Sequence, residues 1–317
     1  MSLERMATAG NDFAFRFFQA AESILPSQER GQLFVSPLSA SLALSMLDNG
    51  AAGTTAAELT EVLGFGGYTQ EEINGYNRKL VTELAGLDNT GRLCMANSLW
   101  LNEGFRALDA YLAILASDYD AEVQTVDFGE ALPAMNAWCK EKTDGLIPKL
   151  LDELDTESKL VLMNALYFKG RWTTPFEKEE TEKGEFRRAD GSVSTVDLMH
   201  VEEKFAYVAQ DGYAAARFPF GNEAFSLTVI LPDVGTALND CIGDLDAEAW
   251  ELLQEQLDRT ALSLDVKLPK FRVEATHDVK EVLMSMGGRQ AFAEGADFSP
   301  LEQGTGCILF IGKVEGF

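Results

Sequence analysis

The run KLVLMNALYF, Lys159 to Phe168, limits what this chain can fold into more than any other stretch. It is too short to cross a membrane, and no other stretch approaches that length. So short and so apolar a segment suits a β-strand covered on both faces. Such a strand needs a packed layer on each side, which implies a layered architecture with a large core. The composition allows it: 46% of the residues are hydrophobic, ample for a core and contrary to disorder. With 317 residues the chain is long enough for one large domain or two ordinary ones. No linker, repeat or low-complexity segment interrupts it, and a single domain over 1–317 is the reading.

Charge narrows the partners. Acidic residues number 51 against 26 basic, a formal charge of −25. That surface repels nucleic acid and anionic lipid, so neither is expected as a partner. Its simplest consequence is solubility, and the charged run EKEETEKGE reads as a solvated face. Cys94, Cys139, Cys241 and Cys307 lie far apart and form no close Cys/His metal pattern. Cys94 and Cys307 sit in apolar stretches and read as buried thiols. The opening MSLERMATAGNDFAF has no apolar run of the signal-peptide kind, and secreted and cytoplasmic placements both stay open.

Along the chain, Asn11 or Asp12 is placed to cap a first helix, ended by Pro26. In QLFVSPLSASLALSML a short strand enters a helix, with Ser36 as N-cap and Pro37 at the first helical position. Thr55 and Glu58 have capping-box spacing for the next helix. EEINGYNRKLVTELAGL is a further helix. CMANSLWL and AEVQTVDF read as strands around a helix at Leu108–Ser117, and ALPAMNAWCKEKT as a helix. KGEFRRADGSVSTVDLM predicts a hairpin at Asp190-Gly191. AAARFPFG and FSLTVILP predict paired strands, and DAEAWELLQEQL a helix. ALSLDVKLPKF alternates at Leu262, Leu264, Val266 and Leu268, as a one-sided strand does. HDVKEVLMSMGG is a short helix closed by Gly287 or Gly288. Cys307 to Val314 reads as a buried closing strand. Helices cluster early, strands dominate later, and no regular βαβ alternation occurs. The fold class is α+β with large mixed or antiparallel sheets.

Chemical motifs are scarce. His200 ends an apolar strand, and His277 precedes a helix start, where it caps or faces water. A catalytic histidine needs a positioned partner, and neither has one visible in sequence. No nucleophile elbow, phosphate loop, dinucleotide fingerprint or His-Glu-x-x-His occurs. The residues give no support to an enzyme, and they call for no cofactor and no metal.

Four phrases, in order, carry a resemblance. LFVSPLSASLALSMLDNGAAGTTAAEL resembles the opening of the serpin fold. LVLMNALYFKGRWTTPF resembles the serpin strand with Asn-Ala-x-Tyr-Phe-Lys-Gly-x-Trp. LPKFRVEATHDVKEVLMSMGGRQAFAEGADFS resembles the strand and helix that precede the reactive region. TGCILFIGKV resembles the closing strand. The resemblance covers most of the chain and implies an N-terminal helix cluster packed on a broad central sheet, with Leu160–Phe168 through its middle. It implies an inhibitor of serine proteases, with cysteine proteases as a second target class, acting as a monomer. The target cuts an exposed loop, the loop enters the sheet as a new strand, and the bound protease is carried along. Ser36, Pro37, Ser39 and Asn164 match the shutter region under the sheet opening. Trp172 matches the breach, where the loop enters first, and Gly50 and Gly53 match turn positions. A satisfied buried amide at Asn164 and plain packing at Trp172 are the simpler alternatives.

The chain also departs from the family. Gln32 stands where asparagine is usual. Between ADFS and TGCILFIGKV a serpin normally carries several dozen residues, which include a sheet strand, the hinge, the reactive loop and its scissile bond. Here a short join takes their place, between about 301 and 304, so the reactive bond is unknown. The segment is omitted, engineered out or naturally absent. The alternative to inhibition is a non-inhibitory binding or chaperone protein, or a degenerate serpin.

Overall fold

The computed structural model describes residues 3–24, 33–188, 191–273, 275–302 and 313–316. They group into two compact units, one of 1–86, 93–167 and 274–317 and one of 87–92 and 168–273.

In the first unit, α1 spans Leu3–Ile24 and buries Met6, Phe13, Phe17 and Ala21 at helical spacing. It starts well before Asn11, so Asn11 and Asp12 do not cap it. Asp12 instead pairs with Arg16 one turn on, at 2.6 Å. Arg16 also donates to the Val62 carbonyl at 3.0 Å, where a helix end needs donors. Helix α2, Pro37–Asp48, has the expected cap, with Ser36 Oγ accepting from the Ser39 N–H, but the described residues 33–36 before it form no strand. Helix α3, Gly53–Val62, does not carry the expected capping box; its N-cap is Ala52. Thr55 and Glu58 reach across the fold instead. Thr55 Oγ1 accepts from the Asp297 N–H at 2.9 Å and Glu58 Oε2 from the Gln290 N–H at 2.6 Å. The capping box belongs to Thr69 and Glu72, at the head of α4, Gln70–Glu83.

Strand β1 (Arg92–Asn102), helix α5 (Asp109–Tyr119), strand β2 (Ala121–Val126), helix α6 (Leu132–Lys142) and strand β3 (Leu160–Lys169) follow. The sheet order is β2-β1-β3, with β1 and β2 parallel and Asn97 opposite Ala121. Side chains alternate across this sheet. Leu99, Leu101, Leu160 and Leu162 join the core that holds Phe17, Leu42 and Leu115. Trp100, Val161, Met163 and Ala165 join a second core with Met135, Trp138 and Ile147. The Lys159–Phe168 run is therefore a strand buried on both faces, as its composition predicts. Its place differs from the expectation: among the described residues β3 is an edge strand and β1 is central. No strand from the sequence that follows Leu301 is described beside it.

Strand β4 (Glu182–Arg187), β5 (Val193–Gln210), β6 (Tyr213–Phe220) and β7 (Phe225–Pro232) belong to the second unit. There they form an antiparallel meander, with β8 (Ala261–Pro269) also pairing with β5. Helices α7 (Leu238–Gly243) and α8 (Ala247–Arg259) connect β7 to β8. The hairpin at Gly191 is present, with Gly191 at φ +80°; Asp190 lies outside the described residues. Back in the first unit, β9 (Ala275–Asp278), α9 (Lys280–Ser285) and β10 (Lys313–Gly316) complete the chain. Strand β10 pairs antiparallel with β9, Val314 opposite His277. The rest of the predicted closing strand, with Cys307, lies outside the described residues, as do Pro26 and Gln32. Cys94 is only half-buried, while Cys139 and Cys241 are buried, and all three are free thiols.

Candidate functional site

Ser36, Pro37 and Ser39 come together at the mouth of α2. Pro37 has no N–H to leave unsatisfied, so the first turn needs one fewer acceptor. Ser36 Oγ donates to Ser39 Oγ at 3.0 Å while it accepts from the Ser39 N–H. Among the described residues no hydrogen bond joins either serine to Asn164.

Asn164 instead meets a residue the sequence reading passed over. Its Nδ2 donates to Asn97 Oδ1 at 2.7 Å, and Asn97 Nδ2 donates to the Tyr119 carbonyl at 2.7 Å. Asn97 is 1% exposed, and it ties β3 through β1 to the end of α5. The signal for it was available: an amide inside an apolar strand must find partners. Asn164 Oδ1 is buried and accepts no hydrogen bond among the described residues. An orphaned buried carbonyl oxygen of this kind costs about 1–3 kcal/mol.

The interval that follows Leu301 is entered from a firm anchor. Leu301 is fully buried, and its carbonyl accepts from the Leu108 N–H at 2.9 Å. A Cβ on Gly50 would come within 2.7 Å of Leu301 Cδ1, so glycine there is a matter of close approach.

Trp172, in the other unit, lies on an aromatic cluster. Its ring stacks on Phe220 at 4.4 Å and meets Phe176 edge-on at 5.6 Å. Thr173 N–H to Pro219 O, at 3.0 Å, and Gly221 N–H to Arg171 O, at 2.8 Å, hold the two backbones together. Gly221 sits at φ +51°, and a Cβ there would lie 1.9 Å from Asp88 Oδ2. Gly221→Ala is expected to cost at least about 1–2 kcal/mol for the left-handed backbone alone. A urea unfolding midpoint equal to the parent's would show that the turn relaxes freely.

The two histidines differ from expectation. His277 neither caps a helix nor faces water: it is 3% exposed, within β9. His200 is inside β5 rather than at its end, and its Nε2 lies 2.9 Å from Asp265 Oδ1.

The serpin (serine protease inhibitor) family matches residues 8–315. Iripin-3 of Ixodes ricinus is 33% identical over 97% of this chain and 79% of its own length. Leukocyte elastase inhibitor of Sus scrofa is 31% identical over 98% of this chain and 84% of its own. Among solved structures, the thermophilic serpin tengpin in its native state superposes with a TM-score of 0.86. It is 30% identical, over 99% of this chain and 79% of tengpin. Reactive-loop-cleaved human thyroxine binding globulin superposes at 0.88 with 26% identity, over 95% of this chain and 89% of that one. No described helix is long and apolar enough to cross a membrane. With phrases, fold and relatives in agreement over nearly its whole length, this chain belongs to the serpin family.

Proposed function

We propose that the chain is the scaffold of a serine-type endopeptidase inhibitor that acts as a suicide substrate, its cleaved reactive loop entering the central sheet. The observation that carries this reading is the outer side of β3. Leu160–Met163, Ala165 and Tyr167 are buried, yet no described strand pairs with that edge. Asn164 Oδ1 accepts no hydrogen bond among the described residues. An extended segment laid along β3 would supply partners to the edge and could supply that donor. In this reading Ser36, Pro37, Ser39 and Asn164 form the shutter and Trp172 belongs to the breach. One domain spans 1–317, acting as a monomer. A relative named leukocyte elastase inhibitor makes an elastase-type serine protease the first target to try, with cysteine proteases second.

A second reading rests on the short join. Glu302, Gln303, Gly304, Thr305 and Gly306 are all that separates Leu301 from the closing strand. They leave no room for hinge and bait, so the chain as it stands is a binding or chaperone protein without inhibition.

The test grafts the intervening segment of leukocyte elastase inhibitor between Leu301 and Gly304. The graft is expected to retain a covalent complex with elastase on a denaturing gel, and the parent chain none. Cleavage of the graft with no retained complex and no gain in heat resistance favours the second reading. Within a working graft, Asn164→Ala and Trp172→Ala are expected to raise the stoichiometry of inhibition. An unchanged value in both would reduce these residues to packing.

A further inference from the structure

We infer that β5 and β8 together carry a site for a divalent transition metal, and that zinc is the ion it fits. His200 and Glu202 are two apart on β5 and so share a face. Glu202 stands directly opposite Asp265 on β8, and His200 opposite Lys267. One donor atom from each of His200, Glu202 and Asp265 lies within 4.8 Å of the other two. Donors around a tetrahedral zinc, at about 2.0–2.1 Å from the ion, stand roughly 3.4 Å apart. Small rotations of the two exposed carboxylates close that difference with no change in backbone.

Two features separate this group from a chance cluster of surface charge. Like charges directly opposite on paired strands repel, and a cation between Glu202 and Asp265 reverses the sign of that contact. A carboxylate also stands behind the imidazole. Its Nε2 points at Asp265, while its Nδ1 lies 3.7 Å from Glu180 Oε2. A carboxylate behind the far ring nitrogen orients a metal-binding histidine. Glu180, Glu202 and Asp265 set three carboxylates against the two ammoniums, Lys204 and Lys267, that share this face of the paired strands. An imidazole beside carboxylates selects zinc and its neighbours over calcium and magnesium, which prefer all-oxygen shells. The bound ion ties β8 to β5, and water completes its shell on the open face.

The test titrates the 317-residue chain with zinc chloride at pH 7.5, by calorimetry and by the ring resonances of its two histidines. One equivalent is expected to perturb His200 and spare the buried His277. His200→Gln and Asp265→Asn are each expected to weaken this equivalent at least tenfold and leave the far-ultraviolet dichroism unchanged. Glu180→Gln is expected to weaken it less, since Glu180 acts through the ring. Excess calcium or magnesium is expected not to compete. No His200 response to zinc in the parent overturns the site. So does equal zinc affinity in both ligand variants, or displacement by calcium.

Discussion

Leu160→Ala is expected to lower the free energy of unfolding by about 2–5 kcal/mol. Leu160 is 0% exposed and packs on one face of β3, in the core that holds Phe17, Leu42 and Leu115. Its neighbour Val161 packs in the opposite core. A strand held from both sides cannot move toward one layer without opening a gap in the other, so the cavity left by truncation stays open. The check is the shift in urea midpoint at unchanged slope. A loss below about 1 kcal/mol would mean that the layers collapse onto the gap, and the two-faced burial of β3 would then not be rigid.

Asp48→Asn is expected to stabilise the protein by about 2–3 kcal/mol at pH 7.5 and to change it little near pH 3. Asp48, at the end of α2, is 2% exposed. Burial raises its carboxyl from 3.8 to about 6, against hydrogen bonds from Thr60 and Gln70 that lower it. The sign follows from proton binding. Between pH 4 and 6 the native state holds a proton that the unfolded state has lost, so stability falls as pH rises through that window. Above pH 6 the native state carries the full cost of a buried carboxylate. The neutral amide keeps the shape and removes that cost. The quantity to measure is the parent-minus-variant difference in unfolding free energy from pH 3 to 7.5. Subtraction removes the titration of the many surface carboxylates. A flat difference would show that Asp48 is solvated or compensated in the native state.

Much of the local structure was legible because it is written at short range. The Ser36-Pro37 cap of α2, the apolar run of β3 and the alternation of β8 from Leu264 to Leu268, with Leu262 exposed instead, each depend on residues within one turn or one strand. The errors fall where a side chain has a choice of partner. Thr55 and Glu58 have the spacing of a capping box, but the backbone of Asp297 and Gln290 claims them. Asn11 and Asp12 are good caps in principle, yet the buried stripe from Met6 to Ala21 extends the helix past them. His277 has no local mark of burial; pairing in β9 carries it inside.

From its sequence alone this chain declared its elements, its α+β class and its serpin kinship, since periodicity and turn chemistry follow from backbone geometry at each point. Tertiary structure alone decided that Asn97 answers Asn164, that β3 lies at the edge of its sheet among the described residues, and that His200 meets Asp265. Those partners lie dozens of residues apart, and only the simultaneous packing of the surrounding elements selects among the many that local rules permit.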